Sequence, residues 1–366
     1  MGDKNGCWQH QQEESSVVTL RDVARRAGVS IPTVSRVLAG KADSIRIGKA
    51  CQERVRRAAD QLGFYPNAAA RSIRTGRFGS VALLMPSEPN WGPLMPQLIE
   101  GLRSGLEEFD AHLLITRLTD RKLTDAAYVP RILRELTADG LLINYVTNIP
   151  PALAALIRRH RLPSIWINVK RPADCVYPDD YAAGGRAVQY LIDLGHRRIG
   201  WVDYHFDGVH SDHYSVKDRL DGGMELARRT GCRLCFQGSP IPNQSVPREQ
   251  RLAFTQKWLS QPDRPTGVIA YNARYASTVH LAATKLGLRV PGDLSIMCFE
   301  EAPAEDYGLP FATSVIPTFE MGREAVRLLM TKLAHPRRVF PPAALPHGFA
   351  PGALCGPPCP NPGRVD

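Results

Sequence analysis

Apolar positions along the chain change period once, near residue 80, and each period predicts its own architecture. Within 18–38, Leu20, Val23, Ala24 and Ala27 recur at three- and four-residue spacing, which predicts a short helix with one apolar stripe. Gly28 stands where that helix stops, because a C-terminal turn needs a residue tolerant of positive φ. Ser30 is placed to cap a second helix, with Pro32 in its first turn, where a missing N–H costs little. Val34, Val37 and Leu38 face back onto the first helix, so Ile31, Pro32, Thr33, Ser35 and Arg36 point outward. A third helix is expected over 49–62, with Val55, Ala58, Ala59 and Leu62 on one face. Gly63-Phe64-Tyr65-Pro66 ends the unit with aromatic residues suited to packing beneath the helices.

From residue 80 short apolar runs alternate with helical patterns. Strands are expected at 81–85, 112–116, 140–144 and 164–168, between helices at 94–109, 128–136 and 151–160. The pattern then repeats, with helices at 181–194, 216–230, 248–260, 276–286 and 319–333 and strands at 198–202, 233–236, 267–270 and 294–299. Continuous apolar strands separated by helices predict parallel sheets covered on both faces. Two successive doubly wound units imply two lobes across a cleft, with ligands beyond the carboxyl ends of the strands. Between head and body, 66–76 is bounded by Pro and Gly and carries Arg71, Arg74 and one large apolar residue, Ile73. A helix this short is marginal in water, so it is expected to order on docking. Ile73 then suits a minor-groove wedge, a contact with the body, or a plain linker position.

Charge adds direction to this picture. The 366 residues carry a formal charge of +10, and 17–77 holds 13 Lys or Arg against 4 Asp or Glu, a net +9. A basic module on a near-neutral body reads as a phosphate-binding head on a scaffold with another task. A helix-turn-helix sets the N-terminal residues of its second helix against base edges in the major groove. The alternative, an ordinary helical hairpin, leaves the concentrated charge unexplained.

Other classes find little support. Residues 1–16 are polar and Gln/Glu-rich, without the basic start and apolar core of an export signal, and no run reaches membrane-spanning length, so a cytoplasmic location without membrane partners is expected. The eight Cys are scattered, and the Cys232-Arg-Leu-Cys235 spacing lacks a second ligand pair, as do Cys355 and Cys359. No metal or other cofactor is expected. Walker A, GxSxG and HExxH motifs are missing, and His196 and His210 stand alone, so catalysis is not expected. His196 reads as a capping or packing residue.

Taken in order, several motifs resemble the LacI/GalR family of bacterial transcription regulators over about 18–346. Val18-Thr-Leu-Arg-Asp-Val-Ala and Thr33-Val-Ser-Arg-Val-Leu38 are similar to the family's head, and Pro66-Asn-Ala-Ala-Ala-Arg-Ser-Ile-Arg-Thr-Gly76 to its hinge helix. Leu194-Gly-His-Arg-Arg-Ile199, Arg264-Pro-Thr-Gly267 and Leu286-Gly-Leu-Arg-Val-Pro-Gly-Asp-Leu-Ser295 resemble its effector domain. Residues 1–16 read as a disordered arm from their polar composition, and the resemblance implies a three-helix helix-turn-helix domain (17–65) and a hinge helix (66–77). It also implies two α/β lobes of periplasmic-binding-protein type (78–346), after which 347–366 reads as a Pro/Gly-rich tail. It implies a homodimeric repressor of a palindromic operator on double-stranded DNA, controlled by a small carbohydrate effector. A transporter's solute-binding protein is the alternative, against which the basic head counts.

Carried over by motif, Ile31, Pro32 and Arg36 match base-reading positions, and Thr19, Ser30, Thr33 and Ser35 match backbone-contacting ones. Ile73 matches the minor-groove wedge, with Arg71 and Arg74 beside it. Ser87, Asn144, Asn168, Arg219, Asn272, Glu300 and Phe319 match the lining of the effector site. Amides, one Arg and one carboxylate suit a polyhydroxyl ligand. The bland alternatives are that Asn144 or Asn272 caps a helix, Glu300 pairs with an Arg and Phe319 is core. The sequence departs from the family pattern at Gly48, Ala273 and Glu300-Glu301, and its tail cannot form a heptad tetramerisation helix.

Overall fold

The head is built from α1 (Leu20–Ala27), α2 (Ile31–Leu38) and α3 (Lys49–Leu62). The carboxylate of Asp22 accepts from the Thr19 N–H (3.0 Å) and hydroxyl (2.7 Å), closing the first turn of α1. Gly28 ends α1 at φ 64°. Ser30 accepts the Thr33 N–H at the start of α2. Gly48 gives α3 no side-chain cap, and buried Gln52 instead donates to the Ile47 carbonyl at 2.8 Å. Val23, Ala24, Ala27, Val34, Val37, Val55, Ala58 and Ala59 make the small core, with Phe64 against it. Tyr65, expected beside Phe64, is 86% exposed; the core is filled by the residue immediately after Gly63, and the next one points away.

In the computed structural model the described residues are 18–39, 47–65, 78–88, 92–119, 138–206, 213–240, 244–306 and 308–359. The expected arm, the hinge with Arg71, Ile73 and Arg74, and the helix at 128–136 lie outside them. The chain divides into two units, Met1–Phe78 and Gly79–Asp366.

The second unit holds two six-stranded sheets of matching order. The first runs β13-β5-β4-β3-β1-β2, using β1 (Ser80–Met85), β2 (His112–Arg117), β3 (Gly140–Ile143), β4 (Ser164–Ile167), β5 (Cys175–Pro178) and β13 (Ala343–Leu345). All its pairings are parallel. The second runs β14-β12-β9-β8-β6-β7, using β6 (Arg198–Asp203), β7 (Arg233–Gly238), β8 (Gly267–Ala270), β9 (Ser295–Glu300), β12 (Ala312–Val315) and β14 (Gly348–Ala350). Only β14 pairs antiparallel there. A two-stranded ribbon, β10 (Glu305–Asp306) with β11 (Leu309–Pro310), stands apart.

The expected helices take both faces. In lobe 1, α4 (Pro96–Glu107) and α10 (Thr318–Ala334) share one core, and α5 (Pro151–Arg159) lies in the other. In lobe 2, α6 (Asp180–Asp193) and α7 (Tyr214–Thr230) share one core, and α8 (Arg251–Leu259) and α9 (Ala273–Lys285) the other. Among the described residues no helix is long and apolar enough to cross a membrane.

Two expectations are corrected. The lobes are not successive units, because the chain passes between them three times: from β5 to α6, from β12 to α10, and from β13 to β14. Helix α10 thereby joins lobe 1, its Met321, Ala325, Val326 and Leu329 filling that core. The segment from 347 is also not merely a tail. It supplies β14, buries Leu354, and its Gly356 carbonyl accepts from the Ser295 hydroxyl at 2.9 Å and lies 3.0 Å from His196 Nε2. Partners distant in sequence satisfy its backbone, so no periodic pattern announces it. His196 is fully buried, with its other ring nitrogen 2.9 Å from Thr266 Oγ1, which is a packing role.

Candidate functional site

The outer face of the head comes from the turn between α1 and α2. Ile31 is 40% exposed, and Pro32 and Arg36, one helical turn apart, are exposed beside it. The Ser30 and Thr33 hydroxyls lie 2.9 Å apart, so they present one polar edge at the helix N-terminus, where backbone N–H groups favour an anion. Ser35 is half-buried on the same helix. Thr19 directs its hydroxyl and N–H protons to Asp22, so any phosphate contact there competes with capping. Around this face Arg25 lies 3.6 Å from Asp22, Arg57 3.0 Å from Glu53, and Arg26 reaches Gln61 at 3.2 Å. Exposed pairs of this kind hold little energy, so those cations remain usable by a polyanion.

The second constellation lies at the carboxyl ends of the strands in the two lobes. On lobe 1, Ser87 is exposed two residues past β1. Asn144, directly after β3, is fully buried; its Nδ2 donates to the Pro93 carbonyl at 2.8 Å, and its Oδ1 has no partner. Asn168 follows β4 in the left-handed region (φ 56°). Its side-chain oxygen accepts from the Tyr214 hydroxyl at 3.2 Å, and its carbonyl lies 3.0 Å from His213 Nε2. Lys170 pairs with Asp218 of α7. Asn168 and Lys170 therefore join lobe 1 to the start of α7 in lobe 2.

On lobe 2, Arg219 is 4% exposed and donates its Nε to Asp180 Oδ1 at 2.5 Å. The rings of Tyr271 (4.9 Å) and Phe299 (4.6 Å) lie against its guanidinium. His347 Nε2 stands 3.3 Å from the same Asp180 oxygen, and its Nδ1 is 3.1 Å from Ser314 Oγ. Burial pushes the Asp180 carboxyl up, but the Arg219 charge and then His347 outweigh it and hold it down at about 2. Burial also holds His347 below the ordinary histidine range, so it is neutral near pH 7.

The remaining expected lining residues take other positions. Asn272 Oδ1 accepts the Tyr275 N–H at 2.9 Å, capping α9, and Glu300 Oε2 accepts the Ala273 N–H at the same helix end (3.3 Å). The capping alternative describes Asn272. Phe319 lines a groove between α4 and α10 with Phe109, Arg323 and Leu345. Asp180, His347 and Asp203 were not anticipated. Asp203 ends β6 as Glu300 ends β9, and a polar residue at a strand's carboxyl end is the signal that could have found it. His347 carries no local signal, since only the β13-to-β14 crossover brings it to Asp180. Among the described residues no cluster of His, Cys, Asp or Glu could hold a metal ion.

Two family models match segments of the chain. Residues 19–67 match the family model described as bacterial regulatory proteins, lacI family, and 188–353 match a periplasmic binding protein-like domain. The chain is 26% identical over 333 residues to the HTH-type transcriptional repressor PurR of Vibrio vulnificus, covering 88% of this chain and 95% of that one. It is also 26% identical over 326 residues to the HTH-type transcriptional repressor CytR of Escherichia coli, covering 88% and 92%. Its fold resembles the lac repressor dimer bound to operator and the anti-inducer ONPF, with a TM-score of 0.71, 20% identity and coverage of 92% and 98%. It also resembles the complex of the transcriptional regulator CelR with cellobiose, with a TM-score of 0.59, 22% identity and coverage of 92% and 99%.

Proposed function

Because the chain belongs to the LacI family of bacterial regulators, we propose that it is a homodimeric, cytoplasmic transcriptional repressor whose grip on a palindromic operator is set by a small carbohydrate in the cleft. The observation that carries this reading is the outward face of α2, with Ile31, Pro32 and Arg36 free of the core on a basic head. That face has the shape and charge to enter a major groove. Two heads of a dimer would then read two half-sites, with Arg71, Ile73 and Arg74 acting on the minor groove between them. The repressor names of the relatives and the sugar complex of CelR support the regulatory and carbohydrate parts. A ligand changes DNA affinity only through unequal affinity for the DNA-competent and incompetent states.

Selection of bound DNA from a random pool, with and without candidate sugars, tests sequence preference, palindromy and ligand response together. A selected pool without a two-fold symmetric consensus would refute the dimeric operator reading. Arg36→Ala is expected to relax preference at one base pair of each half-site by about 1–3 kcal/mol, read as a flattened column in that selection. Ile73→Gly is expected to weaken specific binding and reduce operator bending; a gel shift showing neither would remove Ile73 from the minor groove.

A further inference from the structure

Both sheets reverse their strand order at one point, between β1 and β3 in lobe 1 and between β6 and β8 in lobe 2. Open α/β sheets bind ligands beyond the strand ends at such points. At the lobe 1 point stands Asn144, whose N–H is bonded to the Leu84 carbonyl of β1 and whose buried Oδ1 is unpartnered. At the lobe 2 point stands Asp203, the last residue of β6 and 1% exposed. Its Oδ1 accepts the His205 N–H at 3.0 Å, and its Oδ2 has no partner. A buried carboxylate oxygen left unsatisfied is costly, and folding alone gains nothing from it.

The surroundings specify what would satisfy it. Of the two cations that face Asp203, Arg219 is already paired with Asp180. Glu300 flanks the same end of the sheet, and the next residue, Glu301, holds a further unpartnered buried oxygen. The open oxygens of Asn144, Asp203 and Glu301 are acceptors, and the four carboxyl groups at these ends, Asp180, Asp203, Glu300 and Glu301, outnumber the two cations Arg219 and Arg251. We infer that Asp203 is a recognition residue of the effector site, and that its ligand is rich in hydrogen-bond donors and neutral or cationic, a polyol or amino sugar rather than a phosphate or carboxylate. This inference rests on the reading of the cleft as the effector site.

The groups facing Asp203 are Arg219 of α7, Arg251 of α8, Tyr271 after β8 and Tyr275 of α9. Burial outweighs the backbone hydrogen bonds and the two cations and pushes the carboxyl up to about 6. An ordinary aspartate ionises near 4, so the folded state keeps the proton longer and stability falls as pH rises from about 4 through 6. Asp203→Asn keeps the shape and the Oδ1 acceptor and removes that penalty.

The full-length chain and its Asp203→Asn variant would be melted with and without ribose, glucose, glucosamine, phosphorylated glucose and glucuronate. Without ligand, the variant is expected to melt about 2–4 °C higher near neutral pH, with the difference closing toward pH 4. A stabilising probe is expected among the neutral or amino sugars, and the variant should bind it at least tenfold more weakly. A variant that melts lower at both pH values, an anionic probe as the stabiliser, or equal affinity in the variant would overturn the inference. Should no probe shift the wild type or its operator affinity, the carbohydrate-effector reading fails. The ligand-free melting comparison still decides whether Asp203 is held without a partner.

Discussion

Arg219→Met is expected to lower the stability of the lobed unit by about 3–5 kcal/mol near pH 7 and to remove its response to effector. The loss does not measure the worth of the ion pair. It comes from leaving Asp180, fully buried, with only neutral His347 beside it. The pH dependence separates the two ideas. In the wild type Asp180 is held at about 2, below an unfolded carboxyl near 4. Its contribution is therefore present above pH 4 and lost as pH falls toward 2. In Arg219→Met the burial that already opposes ionisation dominates, so the folded pKa rises and the sign inverts. The deficit should be largest at neutral pH and shrink on acidification. Adding Asp180→Leu to Arg219→Met should recover most of the loss, since an apolar pair of similar volume can replace a buried ion pair at little cost. Urea unfolding of the three species at two pH values checks this; a deficit independent of pH, or no recovery in the double variant, would show that packing and not charge holds Arg219.

Gly184→Ala should cost about 3 kcal/mol, at the upper end for overpacking. A Cβ at Gly184 would lie 1.8 Å from the carbonyl oxygen of Arg219, and one at Gly222 would lie 1.9 Å from that of Tyr181. Helices α6 and α7 thus touch backbone to backbone at the level of the Asp180–Arg219 pair, and no side-chain rotation relieves the clash. Moving α7 outward would also carry Arg219 away from Asp180. Gly185→Ala is the internal control. Its Cβ would meet nothing nearer than 3.4 Å, and a helical Gly-to-Ala change gains up to about 1 kcal/mol. Equal losses at 184 and 185 in thermal unfolding would sink the close-approach account.

The head was legible because its signals are local. Stripe spacing, Gly28 as a left-handed stop and Ser30 as a cap each act within one helical turn, and α1 to α3 formed as the pattern indicates. The alternation of strands and helices was equally readable, since a strand buried on both faces must be continuously apolar. β12 and β14 escaped notice because Ala-Thr-Ser-Val and Gly-Phe-Ala are too short and mixed to show a period.

The candidate site divides along the same line. The family resemblance named Asn144, Asn168 and Glu300, and it passed over Asp203, which ends β6. A resemblance of motifs cannot tell which of them a ligand can use. Asn272 proved to cap α9, Asn168 to bridge the lobes, and Phe319 to line a groove between helices. By itself the sequence determined the helix-turn-helix, its basic face and the two α/β sheets, because propensity, capping and periodicity act between residues close along the chain. Only the tertiary structure decided that α10 belongs to lobe 1, that His347 meets Asp180 across 167 positions of chain, and that Arg219 is spent on an ion pair while Asp203 keeps an oxygen open. Those outcomes depend on three crossovers and on burial, which no local pattern of residues encodes.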